Sequence, residues 1–178
     1  NPTTILMDNN QNIINFWQHN SRLNGISYLT PDSVLFSHYK TLGTSGRFIK
    51  HNWNGEIIWD YNTEICNTHH DIEILDNGNI LSICTEYKTI EDVQNIGYNY
   101  EIDSLFGFDM VIEIRPIEFD SSEIVWEWHS FDHLIQELDP IKDNYGVVVE
   151  HPELLNINMP ISVNHADDWL HLNCISYN

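Results

Sequence analysis

The chain has 178 residues, with 27 Asp and Glu against 7 Lys and Arg, a formal net charge of −20. A field of that sign repels phosphate backbones and anionic headgroups, which excludes nucleic-acid and anionic-lipid partners. At 42% hydrophobic and 12% aromatic the chain is too apolar for a disordered tail, and no run approaches the roughly 20 apolar residues of a membrane helix.

Asn1-Pro2 opens the chain without a signal-peptide pattern, and the run 172–178 reads as a strand that stops. Both ends read as cut, so a fragment or an incomplete gene product is expected. Cys66, Cys84 and Cys174 are far apart, with no CxxC pair. That spacing predicts buried strand thiols rather than a zinc site, and the odd count leaves the compartment open.

In chain order, the elements are strands and turns. Gln11-Asn12-Ile13-Ile14-Asn15-Phe16-Trp17 and Asn24-Gly25-Ile26-Ser27-Tyr28-Leu29 are short apolar runs bounded by Asn and Gly. Arg47-Phe48-Ile49-Lys50 and Ile57-Ile58-Trp59-Asp60-Tyr61 flank Asn52-Trp53-Asn54-Gly55 and predict a hairpin. Ile72-Glu73-Ile74-Leu75 and Ile80-Leu81-Ser82-Ile83-Cys84 flank Asp76-Asn77-Gly78-Asn79. This is the strongest hairpin signal, because Asn-Gly accepts the positive φ such turns demand. A third hairpin joins Val111-Ile112-Glu113-Ile114 to Ile124-Val125-Trp126-Glu127-Trp128 through Asp120-Ser121-Ser122-Glu123, with Pro116 at the end of its strand. Short helical turns are expected at 132–138 and 151–155.

The pieces repeat. The run beginning at Gln11 aligns with that at Gly55, an offset of 44, and Asn24 aligns with His70, an offset of 46. Glu123-Ile124-Val125-Trp126-Glu127-Trp128 begins a third copy, and Asn173-Cys174-Ile175-Ser176-Tyr177 echoes Asn24-Gly25-Ile26-Ser27-Tyr28. A period of about 40–50 residues with several strands per unit predicts an all-β, partial β-propeller. Residues 1–178 form a single incomplete domain, with blades at about 1–45, 46–108 and 109–178. Two insertions, 86–108 and 129–168, interrupt the period, and such segments gather on one face.

Ten histidines are present. His19, His38, His51 and His129 sit among strand and turn residues without an evident polar cluster and read as exposed or structural. His69-His70-Asp71 and Asp168-Trp169-Leu170-His171-Leu172-Asn173 each precede the strand that follows an Ile-Ile-Trp or Ile-Val-Trp strand. Asn24, His70 and Asn173 are then equivalent positions, and equivalent positions of a propeller converge on its axis. The alternative is that His70 and His171 only tie blades together while Asp71 and Asp168 cap turns. A divalent-metal site on His69, His70 and His171 with either Asp lacks a supporting spacing, and no nucleophile-elbow motif accompanies the histidines.

Several of these motifs, in this order, resemble the arylsulfotransferase (ASST-type) family. They are Ile124-Val125-Trp126-Glu127-Trp128, Asp132-His133-Leu134-Ile135-Gln136, Asn144-Tyr145-Gly146-Val147, His151-Pro152-Glu153-Leu154-Leu155 and the run from Asp168 to Asn178, with His69-His70-Asp71 upstream. The resemblance implies a six-bladed propeller longer than this chain. It implies transfer of a sulfuryl group from an aryl sulfate to a phenol through a sulfated histidine, with no nucleotide donor and no cofactor. It makes His171 a catalytic, sulfate-contacting residue, with His70, His69, Asn173 and Trp169 as substrate-binding residues. Asp71 and Asp168 are the groups that orient imidazoles. Phe131, Tyr145 and Trp169 can stack on an aryl ring, with ordinary packing as the alternative for each. The family's nucleophilic histidine and arginine fall after Asn178, and Arg22, Arg47 and Arg115 match no family motif. The resemblance also implies an extracytoplasmic location. A non-catalytic propeller that binds a small ligand or a protein is the competing expectation.

Overall fold

A computed structural model describes residues 1–41, 46–101, 105–159 and 167–178; parts of both insertions, 102–104 and 160–166, lie outside the described residues. The protein is built from antiparallel sheets with little helix. Strands β1 (Thr3–Met7) and β2 (Ile13–Gln18) pair antiparallel, with Ile5 opposite Phe16. Strands β3 (Tyr28–Leu29), β4 (Leu35–Lys40), β5 (Gly46–His51) and β6 (Ile57–Thr63) make a four-stranded sheet in sequence order. Strands β7 (Asn67–Ile74), β8 (Ile80–Lys88), β9 (Phe106–Glu118) and β10 (Ser121–His129) make a second one, again ordered as in the chain. The sheets therefore fall at 28–63 and 67–129, offset from the units read at 1–45 and 46–108. The Ile-Ile-Trp and Ile-Val-Trp runs are the last strands, β6 and β10, of their sheets.

Local chemistry explains the hairpins. Gly55 and Gly78 both have φ +83° at the expected turns, and a Cβ at either would meet open space. The third turn comes earlier than expected. The Ser121 hydroxyl accepts from the Glu118 N–H at 3.2 Å, which closes the reversal at Phe119-Asp120 and lets β10 start at Ser121.

Two further expectations are corrected. Cys66 and Cys84 are not thiols but a disulfide, 18 residues apart in sequence with Cα atoms 5.6 Å apart, while Cys174 is free and exposed. The reach between buried Cys66, just before β7, and buried Cys84 on β8 was not legible in their spacing. Residues 132–138 are not a helical turn throughout. A 3-10 turn covers Ser130–His133, and β11 (Leu134–Ile135) then pairs in parallel with β12 (Leu155–Asn156), burying two aliphatic side chains. The turn expected at 151–155 is present, closed by the Leu154 N–H donating to the His151 carbonyl at 3.1 Å, and a 3-10 turn at Val148–Glu150 precedes it. Within the first insertion stands an unanticipated helix, α1 (Ile90–Asn95), whose Thr89 and Asp92 form a reciprocal capping box.

The chain divides into two compact units. Unit 1 holds Asn1–Cys84, Ile112–Trp126 and Asn173–Asn178; unit 2 holds Thr85–Val111 and Glu127–Leu172. The core of unit 1 includes Trp17, Tyr39, Phe48, Trp59, Ile72 and Ile80. Unit 2, made chiefly from the two insertions, buries Val93, Tyr98, Phe106, Phe108, Leu134, Ile157 and Trp169 in one cluster. Its irregular segments are held by side-chain amides: Asn144 Nδ2 donates to the Ile96 carbonyl and Asn158 Nδ2 to the Gly97 carbonyl, both at 2.9 Å.

Candidate functional site

In unit 1, His69 and His70 lie on β7 with their rings edge to face at 5.1 Å. His70 has φ +57°, a left-handed conformation that costs a non-glycine residue on the order of 1–2 kcal/mol and persists only where neighbours over-determine it. Here they do. The His70 N–H donates to the Asn24 carbonyl and the Ile26 N–H donates to the His70 carbonyl, each at 3.2 Å, a parallel bridge centred on Gly25. A Cβ on Gly25 would stand 2.0 Å from the His70 carbonyl oxygen, so only glycine admits this approach. Asn24 Nδ2 also donates to the Thr68 carbonyl.

Asp71 is buried and fully engaged in joining segments. Its Oδ1 accepts from the Tyr28 hydroxyl at 2.6 Å and from the Ile72 N–H at 3.0 Å, and its Oδ2 accepts from the Ile175 N–H at 3.2 Å. The hydrogen bond to Asp71, then burial, push the Tyr28 phenol up to about 12. Three segments aligned in the sequence, at Asn24, His70 and Asn173, are thus neighbours within unit 1, the first two through backbone bonds and the last two through Asp71 and Ile175.

In unit 2, His171 repeats the backbone of His70 with φ +58°. Its ring Nδ1 pairs with the Asp168 carboxylate, both side chains being partly exposed. The Trp169 N–H donates to the Gly107 carbonyl at 3.2 Å, and the Leu172 N–H donates to Asp109 Oδ2 at 3.3 Å. Gly107 plays the part of Gly25, since a Cβ there would lie 2.0 Å from the Asp167 carbonyl oxygen. Trp169 is only 6% exposed and packs edge-on against Phe106 and Phe108, at ring separations of 5.7 and 5.4 Å. It anchors the histidine loop in the core of the unit. Phe131 also packs on that core, 5.0 Å from Phe108, whereas Tyr145 is exposed.

An imidazole whose Nδ1–H faces a carboxylate is fixed in one tautomer, and its Nε2 is then the basic nitrogen. Such a ring can accept a proton, donate to an anionic oxygen once protonated, or act as a nucleophile. Among the described residues no group of three or more His, Cys, Asp or Glu side chains is arranged to hold a metal ion. Arg47 makes a two-pronged pair with Asp60, at 2.7 and 2.5 Å, and Arg115 pairs with Glu123.

Of the histidines read as exposed or structural, His19 and His129 have polar partners that the sequence did not show. His19 is buried, with Nδ1 at 2.6 Å from the Tyr39 hydroxyl and Nε2 at 2.8 Å from the Thr4 hydroxyl. Burial, with His51 nearby, holds its imidazolium down to about 4, and burial does the same to His38. His129 meets Glu86 at 3.0 Å and Glu127 at 3.2 Å; burial opposes its charge, but the two carboxylates outweigh that and raise its pKa. The glycines at 25 and 107 and the carboxylate of Asp109 were also missed. The only cue was a glycine just before or within an apolar run.

No curated protein and no solved structure matches the chain. The family model described as Arylsulfotransferase (ASST) matches residues 5–178, essentially the whole chain. The chain with these two left-handed histidines therefore belongs to the arylsulfotransferase family.

Proposed function

We propose that this chain forms part of a β-propeller that transfers a sulfuryl group from a phenolic sulfate ester to a phenolic acceptor without a nucleotide donor. The observation that carries the reading is the pairing of His70 and His171. Each holds the same uncommon backbone conformation, His70 on a strand packed against Gly25 and His171 in a segment whose Asp167 carbonyl packs against Gly107. Strain of this kind concentrates at functional sites. Two four-stranded sheets, each ending on a matching Trp-containing strand, support the propeller.

In the proposed reaction the ester S–O bond breaks, the aryl oxide departs, and sulfur bonds to an imidazole nitrogen of the whole protein that lies outside these 178 residues. The acceptor phenol then gives up its proton, its oxygen attacks sulfur, and the S–N bond breaks. His171 donates to the sulfuryl oxygens as charge builds on them, held by Asp168 through Nδ1. His70, His69 and Asn173 contribute to substrate binding, Asp71 fixes the strand that bears His70, and Trp169 anchors the loop of His171. Preorganised donors of this kind contribute roughly 3–4 kcal/mol each. A local cluster of imidazoles also offsets the repulsion an anionic ester meets from a chain of charge −20. The Cys66–Cys84 disulfide suits an oxidising compartment and supports a site of action outside the cytoplasm.

The test is release of 4-nitrophenol from its sulfate ester by full-length protein, with phenol as acceptor. His171→Ala should lower acceptor-dependent kcat by about 10²- to 10³-fold. Unchanged turnover would remove His171 from the reaction.

A further inference from the structure

A cavity of about 700 Å³ opens in unit 1, between the β3–β4 turn and the β7–β8 turn, with Lys50 and Phe36 in its wall. Its size suits a ligand of two or three rings. Both turns are braced. The Thr30 N–H donates to the Val34 carbonyl and the Val34 N–H to the Thr30 hydroxyl, at 2.9 and 3.1 Å. The Leu75 N–H donates to the Asn79 carbonyl at 2.9 Å. Tyr28, another wall residue, is fixed by its bond to Asp71. The cavity is therefore preformed rather than dependent on a ligand to shape it.

Lys50 gives it a polarity. Strand register places Lys50 across from Phe36 on β4 and Trp59 on β6. Its ammonium stands 4.5 Å from the Phe36 ring centroid and 5.1 Å from that of Trp59. Ring faces stabilise a cation, yet the half-buried ammonium still loses water, and burial lowers its pKa. A desolvated cation beside Phe36, Ile58 and Ile74 favours an apolar body that carries one anionic group. Asp32, Glu73 and Asp76 also line the cavity, and Asp32 partly offsets the effect of burial on Lys50, so the wall admits no more than one negative charge and only where it meets the ammonium directly.

The geometry points to a binding site for a small aromatic monoanion, an arenesulfonate or arenecarboxylate, with its charged end on Lys50 and its rings against Phe36. No histidine lines this cavity, and the proposal does not depend on sulfuryl transfer.

Naphthalene-2-sulfonate is a suitable probe, because its carbon–sulfur bond offers no ester to transfer. At saturation it should slow reductive methylation of Lys50 in full-length protein at least tenfold, read by peptide mass spectrometry. The neutral 2-acetylnaphthalene should not. Calorimetry should lose one sulfonate site in Lys50→Met and retain it in Lys50→Arg. His171→Ala should leave the protection of Lys50 intact, so loss of transfer activity and loss of this site are separable. Methylation of Lys50 that is indifferent to the sulfonate, or equally slowed by the ketone, overturns the proposal.

Discussion

The two units position the same histidine backbone by different means. Unit 1 seats His70 inside a strand, with bonds to Asn24 and Ile26 and a scaffold of paired strands around it. Unit 2 seats His171 in an irregular segment, pinned by one buried indole and by N–H bonds to the Gly107 carbonyl and the Asp109 carboxylate of β9. Sheet pairing spreads the constraint over many hydrogen bonds, whereas an aromatic anchor concentrates it in a few side chains. The units also differ in charge. Unit 1 buries uncharged imidazoles at His19, His38 and His51, while unit 2 holds His129 between two carboxylates.

The sharpest way to break the comparison is Trp169→Ala. Truncating a buried indole costs about 3–5 kcal/mol, and that loss should appear as faster hydrogen exchange at the amides of unit 2. Exchange unchanged around Phe106 and Leu134 would show that the anchor is not concentrated there.

Acid comes next. His19 and His38 hold pKa values of about 4 when folded, against about 6.5 unfolded. The unfolded chain therefore binds protons first as pH falls. Stability is present in full above about 6.5 and drains as pH drops toward 4, by at most about 3 kcal/mol for each group. His129 has the opposite sign. Its folded pKa is raised, so its contribution is complete below about 6.5 and is lost as pH rises through the raised value. Hydrogen exchange at pH 7 and pH 5 should show β4 and β5 losing protection while amides near Glu86 keep theirs. A profile flat with pH in β4 and β5 would contradict the buried neutral imidazoles.

The smallest effect tests what the units share. At His70 and His171, glycine should be more stable than alanine by about 1 kcal/mol, because only glycine takes positive φ without strain. Thermal unfolding of the four variants measures this. Alanine equal to glycine at either position would mean that the backbone there is ordinary.

The hairpins at Gly55 and Gly78 were legible because turn chemistry is local and their flanking residues alternate. The motif strands β6 and β10 were legible for the same reason. Asn24 and His70 were matched by repeat alone, and the bridge between them follows from their adjacency in space. Other features depended on distant partners and left little trace. Leu134 and Ile135 pair with residues 21 positions away, so a local reading took them for part of a helical turn. For Trp169 the sequence left stacking and packing both open, because nothing nearby in sequence revealed Phe106 and Phe108. The Thr89–Asp92 capping box was the exception, a short-range signal present in the sequence and passed over.

Gly25 and Gly107 also govern how freely this scaffold can be rewritten. A carbonyl already occupies the space of any first side-chain carbon at both, so randomised libraries should hold them constant. Gly55 and Gly78 face open solvent instead, and asparagine, which tolerates left-handed geometry, is a reasonable substitute at either. Diversity is better introduced at those outer reversals than beside the two histidines.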